Sequence, residues 1–450
     1  MKSINKTIYI GMSLVAALSF SSCEKFLDPK PVNQIDDAVA LDSKIRIQRA
    51  LTGAYSRLQV IEYYGAEWPN AVWLSDDNVV PFSAGTTDLQ FDGHAVLASS
   101  NTMEITWRAM YRAINAANNV IDGASSVADP TLTDEERKNL IGQAQFLRAL
   151  VYFDMVRTWG GVPLVLTPTR GLTAANYPAK ATAEQVYAQI VQDLEDAETN
   201  LSETVVRTIA HKKAAQALMA KVALYRKDYT GAASYATELI NASSSFSLVV
   251  PFEKLITEKK TTEAIFELDY SQVDGNELSA YFYPATMGGY YRVGPTTEIT
   301  TLLKDPAIGG TRSVLVSELN GAPYGNRYRK AVGGVKDDNY AILRLAEMYL
   351  IRAEARANLD NIEEGLEDLN VIRSRAGLED LAITGKEALL LAIENERRVE
   401  FAFEPHRWFD LIRTGRAGAV LGVTDVKKYV FPIPGAEILA NKNLQQNEGY

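Results

Sequence analysis

The chain has 450 residues, 47% of them hydrophobic, and 56 acidic against 46 basic side chains give a formal net charge of −10. That acidity, with no Lys/Arg run longer than two, argues against a nucleic-acid partner, whose phosphates require clustered cations. A single cysteine excludes a disulfide framework and a thiolate metal site.

That cysteine, Cys23, stands behind a short apolar run. Lys2 and Lys6 supply a positive start, and 8–20 (IYIGMSLVAALSF) is too short to cross a hydrocarbon core of roughly 30 Å as a helix. Residues 1–22 therefore read as a lipoprotein signal peptide, with Cys23 as the lipidation site. Cleavage there leaves 428 residues and, by removing Lys2 and Lys6, a net charge of −12. No second apolar stretch approaches 18 residues, so the expectation is a membrane-anchored chain that does not span. Residues 23–42, with two prolines and mixed charge, read as a lipid-anchored tether.

Helical periodicity dominates the region 43–245. It predicts helices at 43–60, 102–122, 133–158, 182–200, 208–225 and 229–242. Thr133 with Glu136, and Thr182 with Gln185, have capping-box spacing, in which each side chain bonds the other's backbone amide. Gly160, Gly161 and Pro163 stop the third helix. Trp107 and Tyr111 lie at helical spacing on an apolar face and read as core. At an offset of 132, residues 223–240 lie over 355–372, each the end of a helix, a tight turn and a second helix. Small residues such as Ala217, Ala220, Ala353 and Ala357 would let paired helices approach closely. The expected fold class is mainly α, a tetratricopeptide-like helical repeat scaffold.

Between the repeats, 246–338 reads as a loop-rich insertion with short strands such as 264–268, many glycines and clustered aromatics. Helical periodicity resumes at 339–358 and at 386–413 within a C-terminal repeat region, 339–415. An extended segment, 416–450, closes the chain.

Catalytic constellations are missing. His94, His211 and His406 show no metal-ligand spacing, and no GxSxG, P-loop, GxGxxG or HExxH occurs. Asp76-Asp77 invites a glycosidase reading, but adjacent carboxylates more often cap helices or lie in loops. No catalytic residue, metal or cofactor is assigned. Loop aromatics say more, because sugar rings present apolar C–H faces to aromatic planes and hydroxyls to carboxylates or Arg. Tyr283, Tyr290, Tyr291 and Arg292 fit that recipe, as do Asp77, Phe82, Phe91 and Asp92 in 75–94. The alternative is that these residues pack their loops onto the helices.

Four separated motifs carry a family resemblance. They are Cys23 with 26–29 (FLDP), Arg148-Ala149 with Tyr152-Phe153 and the later 160–163 (GGVP), 394–413 (ENERRVEFAFEPHRWFDLIR), and 429–450 (YVFPIPGAEILANKNLQQNEGY). Together they resemble the SusD/RagB family of Bacteroidetes outer-membrane proteins, over essentially the whole mature chain. Pro405 stands where the family commonly has Gly, and Lys442 and Glu448 replace two prolines of the closing pattern. The charges of 394–413 suit ion pairs on a helical surface, and the resemblance implies that His406 packs and does not catalyse.

The resemblance further implies a non-enzymatic, surface-exposed lid that captures an oligosaccharide and delivers it to a SusC-like TonB-dependent β-barrel transporter in the outer membrane. The alternatives are a transporter-gating subunit for peptide or other nutrient cargo, and a surface glycoside hydrolase. The acidic balance mildly favours a neutral or cationic ligand over a polyanion. Family binding residues lie in variable loops outside the shared motifs, so none carries over by position.

Overall fold

The structure, a computed structural model, describes residues 41–82, 85–171, 177–329 and 335–450. Cys23 and nearly all of the tether lie outside the described residues.

Helices stack side by side along the chain. They are α1 (Lys44–Gln59), α2 (Asn101–Ser126), α3 (Asp134–Trp159), α4 (Ala183–Asn200), α5 (Lys212–Tyr225) and α6 (Tyr229–Asn241), continued by α7 (Leu345–Asn358), α8 (Ile362–Arg375) and α9 (Lys386–Glu400). Neighbours in sequence pack as neighbours in space, and α6 passes the array on to α7 across the insertion. Both predicted capping boxes form, Thr133 with Glu136 and Thr182 with Gln185. From Gln143 onward every residue of α3 is buried, as a helix enclosed on all sides requires. This is the expected tetratricopeptide-like scaffold.

The repeat is real, with a register one residue longer than the sequence comparison suggests. The starts of α5 and α7, at 212 and 345, differ by 133. So do Lys227 and Asp360, which turn the two hairpins with φ of 61° and 63°.

Two helical expectations are corrected. Residues 340–344 form a strand, β6 (Tyr340–Arg344), paired antiparallel with β2 (Ala264–Leu268) before α7 begins. The predicted helix 386–413 breaks at 401–406, where Phe403 takes φ 66° and Pro405 removes an amide donor, before a short helix Arg407–Arg413. The insertion also supplies β3 (Val293–Pro295), which pairs with β1 (Val79–Pro81), and the hairpin β4 (Val316–Leu319) with β5 (Ala322–Gly325).

Buried ion pairs rivet the insertion to the repeats, where the sequence suggested surface pairs. Glu400 accepts from Arg344 at 2.5 Å, from Arg312 at 3.4 Å and from Arg375. Glu263 takes Arg344 at 2.8 Å and Arg375 at 2.9 Å, Glu396 takes Arg312 at 2.5 Å, and Glu404 takes Arg327 at 3.1 Å. Four arginines meet four glutamates, and all eight side chains are buried. Nearby, burial alone would raise the Asp410 carboxyl, but Arg397 and Arg413 hold it down at about 2. His406 is buried against Phe401, ring centroids 4.5 Å apart, and burial pushes its pKa well down. It packs, as the motif implied.

Candidate functional site

Two loops far apart in sequence meet in one short ladder. In the β1–β3 pairing Val79 faces Pro295, Val80 faces Gly294 and Pro81 faces Val293. The Phe82 amide extends it by donating to the Arg292 carbonyl at 2.9 Å. Gly294 is required here, because a Cβ at that position would lie 2.0 Å from the Phe82 ring. The ring therefore crosses the glycine and meets Tyr291, centroids 4.7 Å apart at 48°. Tyr291 itself turns the chain at φ 49°, and its hydroxyl donates to the Pro323 carbonyl at 3.1 Å. Tyr290 beside it is 57% exposed and Phe82 42%. Lys336 was not singled out from the sequence, yet it flanks this surface. Its Nζ stands 5.2 Å from the Tyr290 ring centroid, 3.2 Å from the Tyr290 hydroxyl, and bonds Glu277 at 2.5 and 2.6 Å. Phe82 and the half-buried Tyr291 thus form an aromatic pair. The exposed Tyr290, next to Tyr291 in the chain, stands by the Tyr281 ring, centroids 6.2 Å apart, with a charged pair at its edge; these three rings, Phe82, Tyr290 and Tyr291, are the candidate shelf.

The other candidates fall elsewhere. Phe91 is fully buried edge-on against Phe431, centroids 5.5 Å apart. Tyr283 is 3% exposed, and its hydroxyl donates to Asn326 Oδ1 at 2.6 Å. Asp77 is held by Arg407 at 2.7 Å and Arg398 at 3.0 Å, tying the 75–82 loop to the C-terminal motif. Arg292 forks onto Asp88 at 2.7 and 2.8 Å and onto Glu67 at 3.0 Å, beneath the Tyr281 ring. Burial works against its charge, but Asp88 and Glu67 prevail and raise its pKa. Asp92 is exposed at the end of the helix Thr86–Asp92, and partial burial raises its carboxyl, with His94 opposing. Trp107 is buried as expected, whereas Tyr111 is half-buried and both face an open cleft.

The Asp76-Asp77 pair cannot work as glycosidase carboxylates in this arrangement. Both oxygens of Asp77 are taken by guanidinium groups, and Asp76 is buried, accepting from the Asn78 amide at 2.7 Å. Among the described residues no group of His, Cys, Asp and Glu is arranged to hold a metal ion, and no helix is long and apolar enough to cross a membrane.

Comparison with known proteins places this architecture. The family described as starch-binding and associating with the outer membrane matches residues 25–224, and the SusD family matches residues 319–425. The chain belongs to the SusD/RagB family. SusD-like protein P38 of Formosa agariphila is 26% identical, covering 100% of this chain and 99% of its own. A crystal structure of a SusD superfamily protein from Bacteroides thetaiotaomicron superposes with a TM-score of 0.80 at 25% identity, covering 91% of this chain and all of that one. A laminarin-binding SusD-like protein shares the fold at a TM-score of 0.78 and 22% identity, covering 91% of this chain and all of its own. SusD-family chains are carbohydrate-binding, outer-membrane-associated proteins, and the tetratricopeptide-like scaffold is theirs. The two family matches leave residues 225–318 between them, the stretch that carries Tyr290 and Tyr291.

Proposed function

We propose that this chain is a surface-exposed, lipid-anchored glycan-binding protein that acts as the lid of a SusC-like TonB-dependent transporter and catalyses no reaction itself. The observation that carries the reading is the candidate shelf of Phe82, Tyr290 and Tyr291 on a SusD-family scaffold. A sugar ring stacks its C–H face on such rings, and its hydroxyls pair with charged neighbours. In this reading the three aromatics stack the oligosaccharide, and Lys336, Glu277 and the exposed Asp92 serve its hydroxyls. Asp77 and Arg292, already spent in ion pairs, hold the two loops in place, while Phe91 and Tyr283 act through packing. Lipid on Cys23 keeps the lid beside its barrel, with 24–42 as the tether. The laminarin-binding relative and the starch-binding family description favour a carbohydrate cargo over peptide.

The test is affinity electrophoresis and calorimetry against a panel of neutral oligosaccharides with wild type and the triple variant Phe82→Ala, Tyr290→Ala, Tyr291→Ala. Aromatic contacts of roughly 0.5–1.5 kcal/mol per ring predict a loss of about tenfold or more. Unchanged affinity in the triple variant sinks the stacking reading. Nutrient uptake that persists in its absence of sugar affinity favours the gating alternative, and reducing-sugar release by the pure protein revives the hydrolase.

A further inference from the structure

A second concavity shares no lining residue with the shelf. It runs along α2, beneath the C-terminal helix Gly435–Ala440, with a volume of about 620 Å³. Small-ligand sites span roughly 300–1,000 Å³, so it is large enough for several sugar rings. Helical spacing builds one wall, because Arg108, Arg112, Asn115 and Asn119 recur at three- and four-residue intervals on one face of α2. The apolar part is Trp107 and Tyr111, ring centroids 5.0 Å apart. Trp159 braces Trp107 edge-on at 5.1 Å, and the Tyr111 hydroxyl is anchored by donating to the Pro163 carbonyl at 2.8 Å.

Charge sets this cleft apart from the molecule around it. Its lining carries three arginines, Arg57, Arg108 and Arg112, against one glutamate, Glu437, in a chain of net charge −10. Arg108 is committed to Glu104 at 2.8 Å and to Glu437 at 3.2 Å, which neutralises the one carboxylate. Arg57 and Arg112 are exposed and make no ion pair or hydrogen bond with any described residue. Arg108 and Arg112 are also like charges at i,i+4, a spacing that weakens a helix. Arg112 contributes no ion pair or hydrogen bond among the described residues, and its place in the same lining as Trp107 and Tyr111 points to a ligand. A free guanidinium forks onto planar or trigonal oxyanions.

We propose that this cleft is a second glycan subsite and that it takes acidic sugars, with Arg57 and Arg112 on the carboxylate or sulfate groups and Tyr111 beneath the ring. The inference deepens the glycan-binding reading and rests on it, but uses different residues. The overall acidity that favours a neutral cargo is not the charge this cleft presents.

Calorimetry of the full chain in detergent, with tetragalacturonate, a sulfated galactotetraose and neutral galactotetraose, tests it. At least one acidic probe should bind about tenfold more tightly than the neutral one, and the preferred probe identifies carboxylate or sulfate. Arg57→Ala with Arg112→Ala should weaken that binding about tenfold, as should raising salt from about 0.05 to about 0.5 M. Neither side chain has an ion-pair or hydrogen-bond partner among the described residues to lose, and circular dichroism checks that the double variant folds. Acidic probes that bind no better than the neutral one, or an unchanged affinity in the double variant, overturn the proposal. If neutral oligosaccharides still bind at the shelf in that case, only this subsite falls. If no glycan of any charge binds, the glycan-binding reading falls with it.

Discussion

Glu400→Gln removes one charge from the buried set of four arginines and four glutamates and leaves a cation uncompensated. Glu400 is fully enclosed; burial opposes its charge, yet the guanidiniums of Arg375, Arg344 and Arg312 hold its carboxyl below the usual range. Removing one member of a buried pair costs roughly 3–5 kcal/mol. Here Arg344 and Arg375 keep Glu263, at 2.8 and 2.9 Å, and Arg312 keeps Glu396 at 2.5 Å, so the expected loss is about 3 kcal/mol, toward the lower end. The matched control is Glu318→Gln, whose partner Lys304 sits in a pair with both side chains 44% exposed. Exposed pairs contribute about 0–1 kcal/mol. Urea unfolding followed by tryptophan fluorescence measures both, since Trp68, Trp73 and Trp159 are fully buried reporters. If the two variants lose the same stability, to within about 0.5 kcal/mol, the buried set does not hold the insertion on the repeats.

Gly294→Ala places a methyl group where the Phe82 ring lies, so the ring swings away while the backbone keeps its ordinary conformation. Calorimetry should find the same loss of neutral oligosaccharide affinity as Phe82→Ala, with a stability change under about 1 kcal/mol. His211 caps α5 by accepting from the Ala214 amide, and burial lowers its pKa to about 4. Because this lies below the unfolded value of about 6.5, its contribution is complete above pH 6.5 and fades as pH falls toward 4, by at most about 3 kcal/mol. His211→Asn retains a capping acceptor, so urea midpoints measured across that window should depend less on pH; an identical slope contradicts the assignment. Cys23→Ser should fold and bind glycan normally yet leave the membrane fraction on cell fractionation, and a variant that still sediments with membranes rules out the anchor.

Local chemistry explains what the sequence made legible. Capping boxes, helical spacing and glycine-proline stops are written within a few residues of where they act, and α1 to α6 follow them closely. The strand at 340–344 escaped because YAILR carries apolar residues that suit either period, and only its pairing with β2 decides. The break at 401–406 depends on Phe403 adopting a left-handed turn. Site residues were harder, since loop aromatics look alike until their neighbours are known. Phe91 is buried by Phe431, and Arg292 is claimed by Glu67 and Asp88, all distant in sequence. The stripe of Arg108, Arg112, Asn115 and Asn119 is written in α2, but by spacing alone it is indistinguishable from an ordinary solvated helix face.

The β1–β3 ladder joins residues 79 and 295, which are separated by most of the helical scaffold. Helices α1 to α4 form through contacts between sequence neighbours, whereas Phe82 has neither the Arg292 carbonyl nor the Tyr291 ring until the insertion arrives. The candidate shelf therefore depends on a pairing between segments far apart in the chain, which no local signal near Phe82 can supply. A chain halted before residue 293 would show helical dichroism and no shelf, so helix content alone does not gauge a finished fold.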